Sequence, residues 1–206
     1  MQQEILNFKF SNKQNFFVSP KNYLAFNLIN SWPNWKNQCS FLYGPKMCGK
    51  TTLCNIWKKK SKAFFLDEKK ISNFFFKKEN YKKIHQYNWI IDDIDLLIGK
   101  KNNEKLLNLI NILLEERKSF LLMTSKSPPK FLNCELKDLS SRLSSSLVVE
   151  VNEPDNELLF QIIEKYLKSR SIKIDKKNIY YLTNRIERSY KSALRIATEI
   201  DKRSLE

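Results

Sequence analysis

Glycine is nearly missing from this sequence: three residues in 206, where ordinary usage gives about fourteen. Such a chain places glycine where other residues fit badly. Histidine is a single residue, His85, and the four cysteines (Cys39, Cys48, Cys54, Cys134) contain no C-x-x-C pair. A zinc site or a disulfide framework is therefore not expected, and a reducing, cytoplasmic setting fits. Long apolar runs are lacking too. Ala63-Phe64-Phe65-Leu66 and Phe120-Leu121-Leu122-Met123 are among the longest, against the roughly 18 residues a membrane span needs. The opening MQQEILNFKF has no basic start, apolar stretch or small-residue cleavage site, so no secretory leader is expected. Internal repeats and low-complexity linkers are absent. Acids are outnumbered, 22 against 37 cations, for a net charge of +15. That excess suits a polyanion such as nucleic acid. Lysine nevertheless supplies 30 of the 37 cations and no stripe dominates one segment, so coding bias is read as the main cause.

Hydrophobic residues make up 42% and aromatics 13%, enough for a core. The length suits one body or a main domain with a small appendage. Ser19-Pro20 reads as an N-cap with proline at the first helical position, opening a helix to about Ser31 with Leu24, Leu28 and Ile29 inward. Trp32 and Trp35 then serve packing. Strands are expected at Cys39–Tyr43, Ala63–Asp67, Asn88–Asp92, Ser119–Thr124 and Leu147–Val151; Ile71–Phe76 could be helix or strand. Between the strands lie helices at Lys50–Lys60, Asn103–Lys118 and Leu136–Ser144. The second of these places Leu106, Leu107, Ile110, Leu113 and Leu114 near a 3.6 period. Strands alternating with helices mean crossover units, hence a five-stranded parallel sheet with flanking helices. After Pro154 only helices are expected: Pro154–Ser169, Lys176–Asn184 and Tyr190–Lys202. The expected division is a flexible arm over 1–13, an α/β nucleotide-binding domain over 14–152, and a small three-helix lid over 153–206.

Two of the three glycines stand in Gly44-Pro45-Lys46-Met47-Cys48-Gly49-Lys50-Thr51, which fits the phosphate-binding pattern G-x-x-x-x-G-K-[ST]. Inward backbone N–H groups require residues without side chains at the closest approaches, and the helix that follows adds a positive dipole end. Lys50 would reach the β- and γ-phosphates and the Thr51 hydroxyl would ligate Mg²⁺. Thr52 completes the nucleotide-binding set. Trp89-Ile90-Ile91-Asp92-Asp93 is an apolar run ending in acids. Asp92 would hold the metal directly or through water, and Asp93 would orient or activate the attacking water. Asp95 is expected to face solvent.

With these motifs placed, the chain resembles the DnaA-related AAA+ ATPase family over about residues 14–205, and its short Hda-type regulatory members more closely than full initiators. FFVSPKN and SWPNW resemble the entry of those proteins, and IIDDIDLLIGK their Walker B strand. FLLMTSKSPPKF resembles the sensor 1 strand, LKDLSSRLSSSLVVEV the arginine-finger box, and IERSYKSALRIATEIDKRSL the sensor 2 helix. The resemblance implies an adenine pocket using Phe17 and Val18. It implies that Arg142 is an arginine finger acting on a neighbour, and that Arg188, with Arg185 as rival, is the sensor 2 arginine. ADP or ATP with Mg²⁺ is the implied cofactor. Where initiators often carry an acid after Thr-Ser, this chain has Lys126, so little or no hydrolysis of its own is expected.

Gln3, Leu6 and Phe8 fit Q-x-x-L-x-F. This resembles the peptide by which Hda-type proteins bind the DNA polymerase III sliding clamp, glutamine supplying hydrogen bonds and two apolar anchors filling a pocket. The chain ends at Glu206, without the DNA-reading helix-turn-helix domain of a full initiator. Contact with DNA is therefore expected through the clamp. The implied function is negative regulation of replication initiation, by stimulating ATP hydrolysis on DnaA. A head-to-tail homo-oligomer is open. The alternative is a self-contained AAA+ ATPase such as a helicase loader.

Overall fold

The structure is a computed structural model that describes residues 10–11, 16–71, 86–99 and 101–204. The chain divides into two compact units. One contains residues 24–44 and 50–151; the other contains 1–23, 45–49 and 152–206.

The shortest elements come first. β1 (Phe10–Ser11) pairs antiparallel with β2 (Phe16–Phe17). Residues 10 and 11 lie within the expected 1–13 arm and make this ladder. Next comes α1 (Tyr23–Ser31), which starts later than Ser19-Pro20 suggested. Ser19 and Asn22 close a turn on each other: Ser19 N–H donates to Asn22 Oδ1 at 3.0 Å and Asn22 N–H to the Ser19 carbonyl at 3.1 Å. The Ser19 hydroxyl accepts from Lys21 N–H at 3.2 Å, so it is spent within this turn before the helix begins. α1 buries Ala25, Leu28 and Ile29, whereas Leu24, expected inward, is 69% exposed. At 100° per residue those three form one stripe, and Leu24 lies about 90° from its centre.

The α/β unit is built on β3 (Cys39–Tyr43), β4 (Phe64–Phe65), β5 (Trp89–Ile91), β6 (Leu121–Ser125) and β7 (Leu147–Glu150). Their order across the sheet is β4-β5-β6-β3-β7, and every pairing is parallel. The helices α2 (Lys50–Ser61), α3 (Asn103–Glu116) and α4 (Lys137–Ser144) occupy the expected crossovers. A parallel sheet covered on both faces carries apolar side chains on both, and β3, β5 and β6 do: Phe41, Leu42, Ile90, Ile91, Leu121, Leu122 and Met123 are fully buried. In α3, Leu106, Ile110 and Leu113 are buried while Leu107 and Leu114 pack part-buried at the margin. The packing role expected for Trp35 is visible: its ring stacks on Trp57 at 4.9 Å and its indole N–H donates to the Leu28 carbonyl at 2.6 Å.

In the other unit, α5 (Asn156–Ser169), α6 (Lys176–Thr183) and α7 (Tyr190–Arg203) form a small bundle. Leu158, Leu159, Ile162, Ile163, Leu167, Ile179, Ala193 and Ala197 make its core. Asp155, Asp175 and Ser189 cap the three helices, accepting from Leu158, Lys177 and Ser192 N–H respectively. Such caps hold the first turn by about 1 kcal/mol each. No helix among the described residues is long and apolar enough to cross a membrane.

Candidate functional site

The parallel sheet determines where chemistry can collect, because ligands of open α/β sheets bind beyond the carboxyl ends of the strands. Gly44 follows β3, Asp92 follows β5, and Thr124 and Ser125 end β6. Register brings these ends together: Leu42 pairs with Thr124, Tyr43 with Ser125, and Ile91 with Met123. Gly44 N–H then donates to the Ser125 carbonyl at 3.2 Å.

One carboxylate organises the centre. Asp92 Oδ2 accepts from Thr51 Oγ1 at 2.8 Å, and Asp92 Oδ1 accepts from Thr124 Oγ1 at 2.6 Å. Thr124 Oγ1 in turn accepts the Asp93 N–H at 2.8 Å. Lys50, buried to 6% exposure, donates from Nζ to the Gly44 carbonyl at 2.7 Å. The Thr51–Asp92 pair fits Mg²⁺. A hydroxyl and a carboxylate are the oxygen donors Mg²⁺ takes. Among the described residues no group of three His, Cys, Asp or Glu could hold a metal.

Asp93 adopts a left-handed backbone, φ 53 and ψ 57, followed by a 3-10 turn over Ile94–Leu96. Burial raises its carboxyl above the ordinary range, helped by the charges of Asp92 and Asp95 and opposed by Lys50 and Lys126. A raised carboxyl is suited to accepting a proton. Asp95, expected in solvent, is instead part-buried, with Lys126 Nζ 3.8 Å from its Oδ2. The 3-10 turn swings it back toward β6.

The rest of the phosphate loop, Pro45–Gly49, clusters with the other unit. Gly49 has φ 105, and a Cβ there would stand 3.3 Å from Phe16 Cε2 and 3.5 Å from Tyr190 Cε2. The backbone therefore demands glycine, while the Phe16 ring would have to yield only a few tenths of an ångström to a Cβ. Cys48 is buried at 1% exposure, while Met47 turns outward with φ 62 and 44% exposure. Pro45 is half-buried, and Lys46 and Thr52 are exposed.

Phe17 and Val18 are half-buried, with Lys165 Nζ over the Phe17 ring at 5.3 Å. The Phe17 carbonyl accepts from Asn22 Nδ2 at 2.9 Å and from the Tyr190 hydroxyl at 3.2 Å, and Phe16 stacks on Tyr190 at 5.9 Å. Sequence reasoning missed Asn22, Phe16 and Tyr190. Their partners are up to 173 residues away, so no local pattern marks them. Arg188 is exposed and immediately precedes the Ser189 cap of α7. Its rival Arg185 is engaged elsewhere, its guanidinium 3.7 Å from the Tyr181 ring centroid.

Arg142 lies in the last turn of α4, in a pocket that also takes in Cys39 and Arg117. Cys39 begins β3, whose other end leads into Gly44. Five residues at ~3.3 Å each put about 16 Å between those ends. Gln3, Leu6 and Phe8 lie outside the described residues.

The bacterial DnaA ATPase-domain model matches residues 6–150. The chromosomal replication initiator protein DnaA of Borreliella afzelii is 30% identical over 182 residues, covering 79% of this chain and 37% of that protein. DnaA of Nautilia profundicola is 24% identical over 204 residues, covering 91% and 47%. The chain thus spans less than half the length of these curated relatives. Among solved structures, replication initiator DnaA bound to AMPPCP and single-stranded DNA superposes with a TM-score of 0.78 at 22% identity, covering 96% of this chain and 66% of that one. Domain III of Thermotoga maritima DnaA gives 0.70 at 22% identity, covering 86% and 81%. These structural likenesses carry the AAA+ fold.

Proposed function

Because the chain belongs to the bacterial DnaA ATPase-domain family, we propose that it is a nucleotide-binding AAA+ regulator that restrains replication initiation by promoting ATP hydrolysis on DnaA. Residues 14–152 form the nucleotide-binding domain and 153–206 its lid. Lys50 and the loop Gly44-Pro45-Lys46-Met47-Cys48-Gly49 bind the phosphates of ADP or ATP, followed by Thr51 and Thr52. Phe17 and Val18 border the adenine, and Arg188 senses the nucleotide from the lid. Thr51 and Asp92 would hold Mg²⁺, which would supply charge neutralisation at the phosphates. Gln3, Leu6 and Phe8 dock on the DNA-loaded sliding clamp, bringing the chain to DnaA.

The observation that carries this reading is the place of Arg142. It stands beside Cys39, at the opposite end of β3 from Gly44. An arginine side chain reaches about 7 Å from its Cα, less than half the ~16 Å strand. That distance keeps Arg142 from this chain's own phosphate loop and supports a role on a nucleotide outside its own chain. Lys126 beside Asp95 also replaces an acid at sensor 1 with a cation, in keeping with weak hydrolysis by this chain.

A second reading has one observation in its favour. Asp92, Asp93, Thr51 and Thr124 form a connected set, and the raised Asp93 carboxyl suits a base in a self-contained ATPase such as a helicase loader.

ATP turnover measured for the chain alone, and for DnaA with clamp, DNA and the chain, separates the two. Arg142→Ala is expected to keep nucleotide and clamp binding and to lose the stimulation of DnaA, a finger generally contributing roughly 10³–10⁵ in rate. Arg142→Lys should fail largely as well, a point charge replacing a planar fork. Robust turnover without DnaA, or full stimulation by the alanine variant, would reject the regulator.

A further inference from the structure

Arg142 does not stand alone. Its pocket, about 290 Å³, is lined also by Lys36, Gln38, Cys39, Arg117 and Ser145. Three cations from three separate segments meet there: the loop before β3, the end of α3 and the end of α4. Among the described residues no carboxylate lines the pocket, and none of the three cations pairs with an acid. All three are exposed, so none is tied up in packing. The Ser145 and Ser146 hydroxyls donate to the Arg142 carbonyl at 2.9 and 3.3 Å, holding its backbone at the helix end.

Two helix ends oppose the three cations. α3 and α4 both end at the pocket, and each C-terminus brings roughly half a negative charge. Three full cations outweigh them. The field reaches Cys39, whose thiol burial pushes up to about 12 while Arg142 pulls the other way. Arg117 also sits at φ 50, where glycine or asparagine is usual. Met47, Lys62, Asp93 and Ser171 share positive φ, so that feature alone marks nothing. The convergence of charge is what points to a ligand. Two guanidinium forks and an ammonium around one hollow match a group with several phosphate oxygens.

We propose that this pocket is a phosphoryl-binding site in which Arg117 and Lys36 join Arg142, receiving the terminal phosphates of a nucleoside triphosphate held by another AAA+ subunit. The proposal rests on the reading of Arg142 as acting outside its own chain. Arg117 and Lys36 are positioning residues that draw in and hold the polyphosphate, so that Arg142 meets it in one orientation.

Inorganic tripolyphosphate is the probe, titrated calorimetrically at fixed salt into the full chain carrying Lys50→Ala, so that the chain's own loop does not report. Arg117→Gly, which puts glycine at a left-handed position and so leaves the fold intact, and Lys36→Gln should each weaken binding about ten-fold or more. Lys173→Gln, an exposed cation of the other unit, should change it little. With Lys50 intact, Arg117→Gly should also lower stimulation of DnaA hydrolysis while leaving the chain's own ADP affinity unchanged. Tripolyphosphate binding unmoved by Arg117→Gly and Lys36→Gln, or weakened as much by Lys173→Gln, overturns the site. Stimulation lost in Arg142→Ala but untouched in Arg117→Gly and Lys36→Gln also rejects the proposal and leaves the function standing. Full stimulation by Arg142→Ala instead rejects the function on which it rests.

Discussion

Thr124 and Asp92 are joined by a 2.6 Å hydrogen bond between the ends of adjacent strands, and the same Thr124 oxygen accepts the Asp93 N–H. One fully buried hydroxyl thereby orients the Asp92 carboxylate and the Asp93 backbone. Thr124→Val keeps the shape and strands both partners. A buried group left unsatisfied costs about 1–3 kcal/mol. The urea midpoint should fall with an unchanged slope, and Thr124→Ser should recover most of the loss. A valine variant as stable as the parent would mean that water replaces the hydroxyl.

Asp93 gives a pH-dependent test. Its carboxyl is raised, first by burial and then by Asp92 and Asp95. A carboxyl with a folded pKa above its unfolded one keeps more protons in the native state. Its contribution to stability therefore falls as pH rises from about 3.9 through the folded value. Asp93→Asn removes that loss. Asparagine also suits φ 53, a gain independent of pH. The melting temperature of the variant should exceed the parent's by more at pH 7 than near pH 3. An equal offset at both values would show that ionisation of Asp93 costs the fold nothing.

Lys50→Ala is expected to abolish ADP and ATP binding. The ammonium is the point charge the phosphates need, and backbone N–H groups alone leave much weaker affinity. Calorimetry with ADP reads it directly, and parent-like affinity would remove the site assignment.

Deleting residues 1–9 should eliminate binding to the sliding clamp and leave ADP affinity unchanged. The deletion spares every capping and core residue named above. Clamp affinity that survives the deletion would dispose of the Gln3, Leu6 and Phe8 motif.

Much of the fold is legible in the sequence because its cues are local. Cys39–Tyr43 is the strand the sequence predicts, residue for residue. Alternation of apolar runs with 3.6-period segments dictates parallel crossovers whatever the partners are. Errors fall where a local cue competes with tertiary packing. The Ser19 hydroxyl accepts from Lys21 N–H within a turn that precedes the helix, and Leu24 loses its place to the Ala25–Leu28–Ile29 stripe. Asp95 looks like a solvent acid in one dimension but is turned back beside Lys126.

By itself the sequence determined the chemistry available: a glycine-poor chain that keeps glycine at Gly44 and Gly49, a lysine and threonine after them, and paired acids closing an apolar run. A backbone that must bend around phosphate constrains its own residues, so short-range spacing suffices. Only the tertiary structure decided which groups meet. The strand order β4-β5-β6-β3-β7 sets Thr124 against Asp92 and puts Arg142 at the far end of β3 from Gly44. Strand order and register are long-range pairings selected by burial of whole faces, and no local pattern encodes which strand lies beside which.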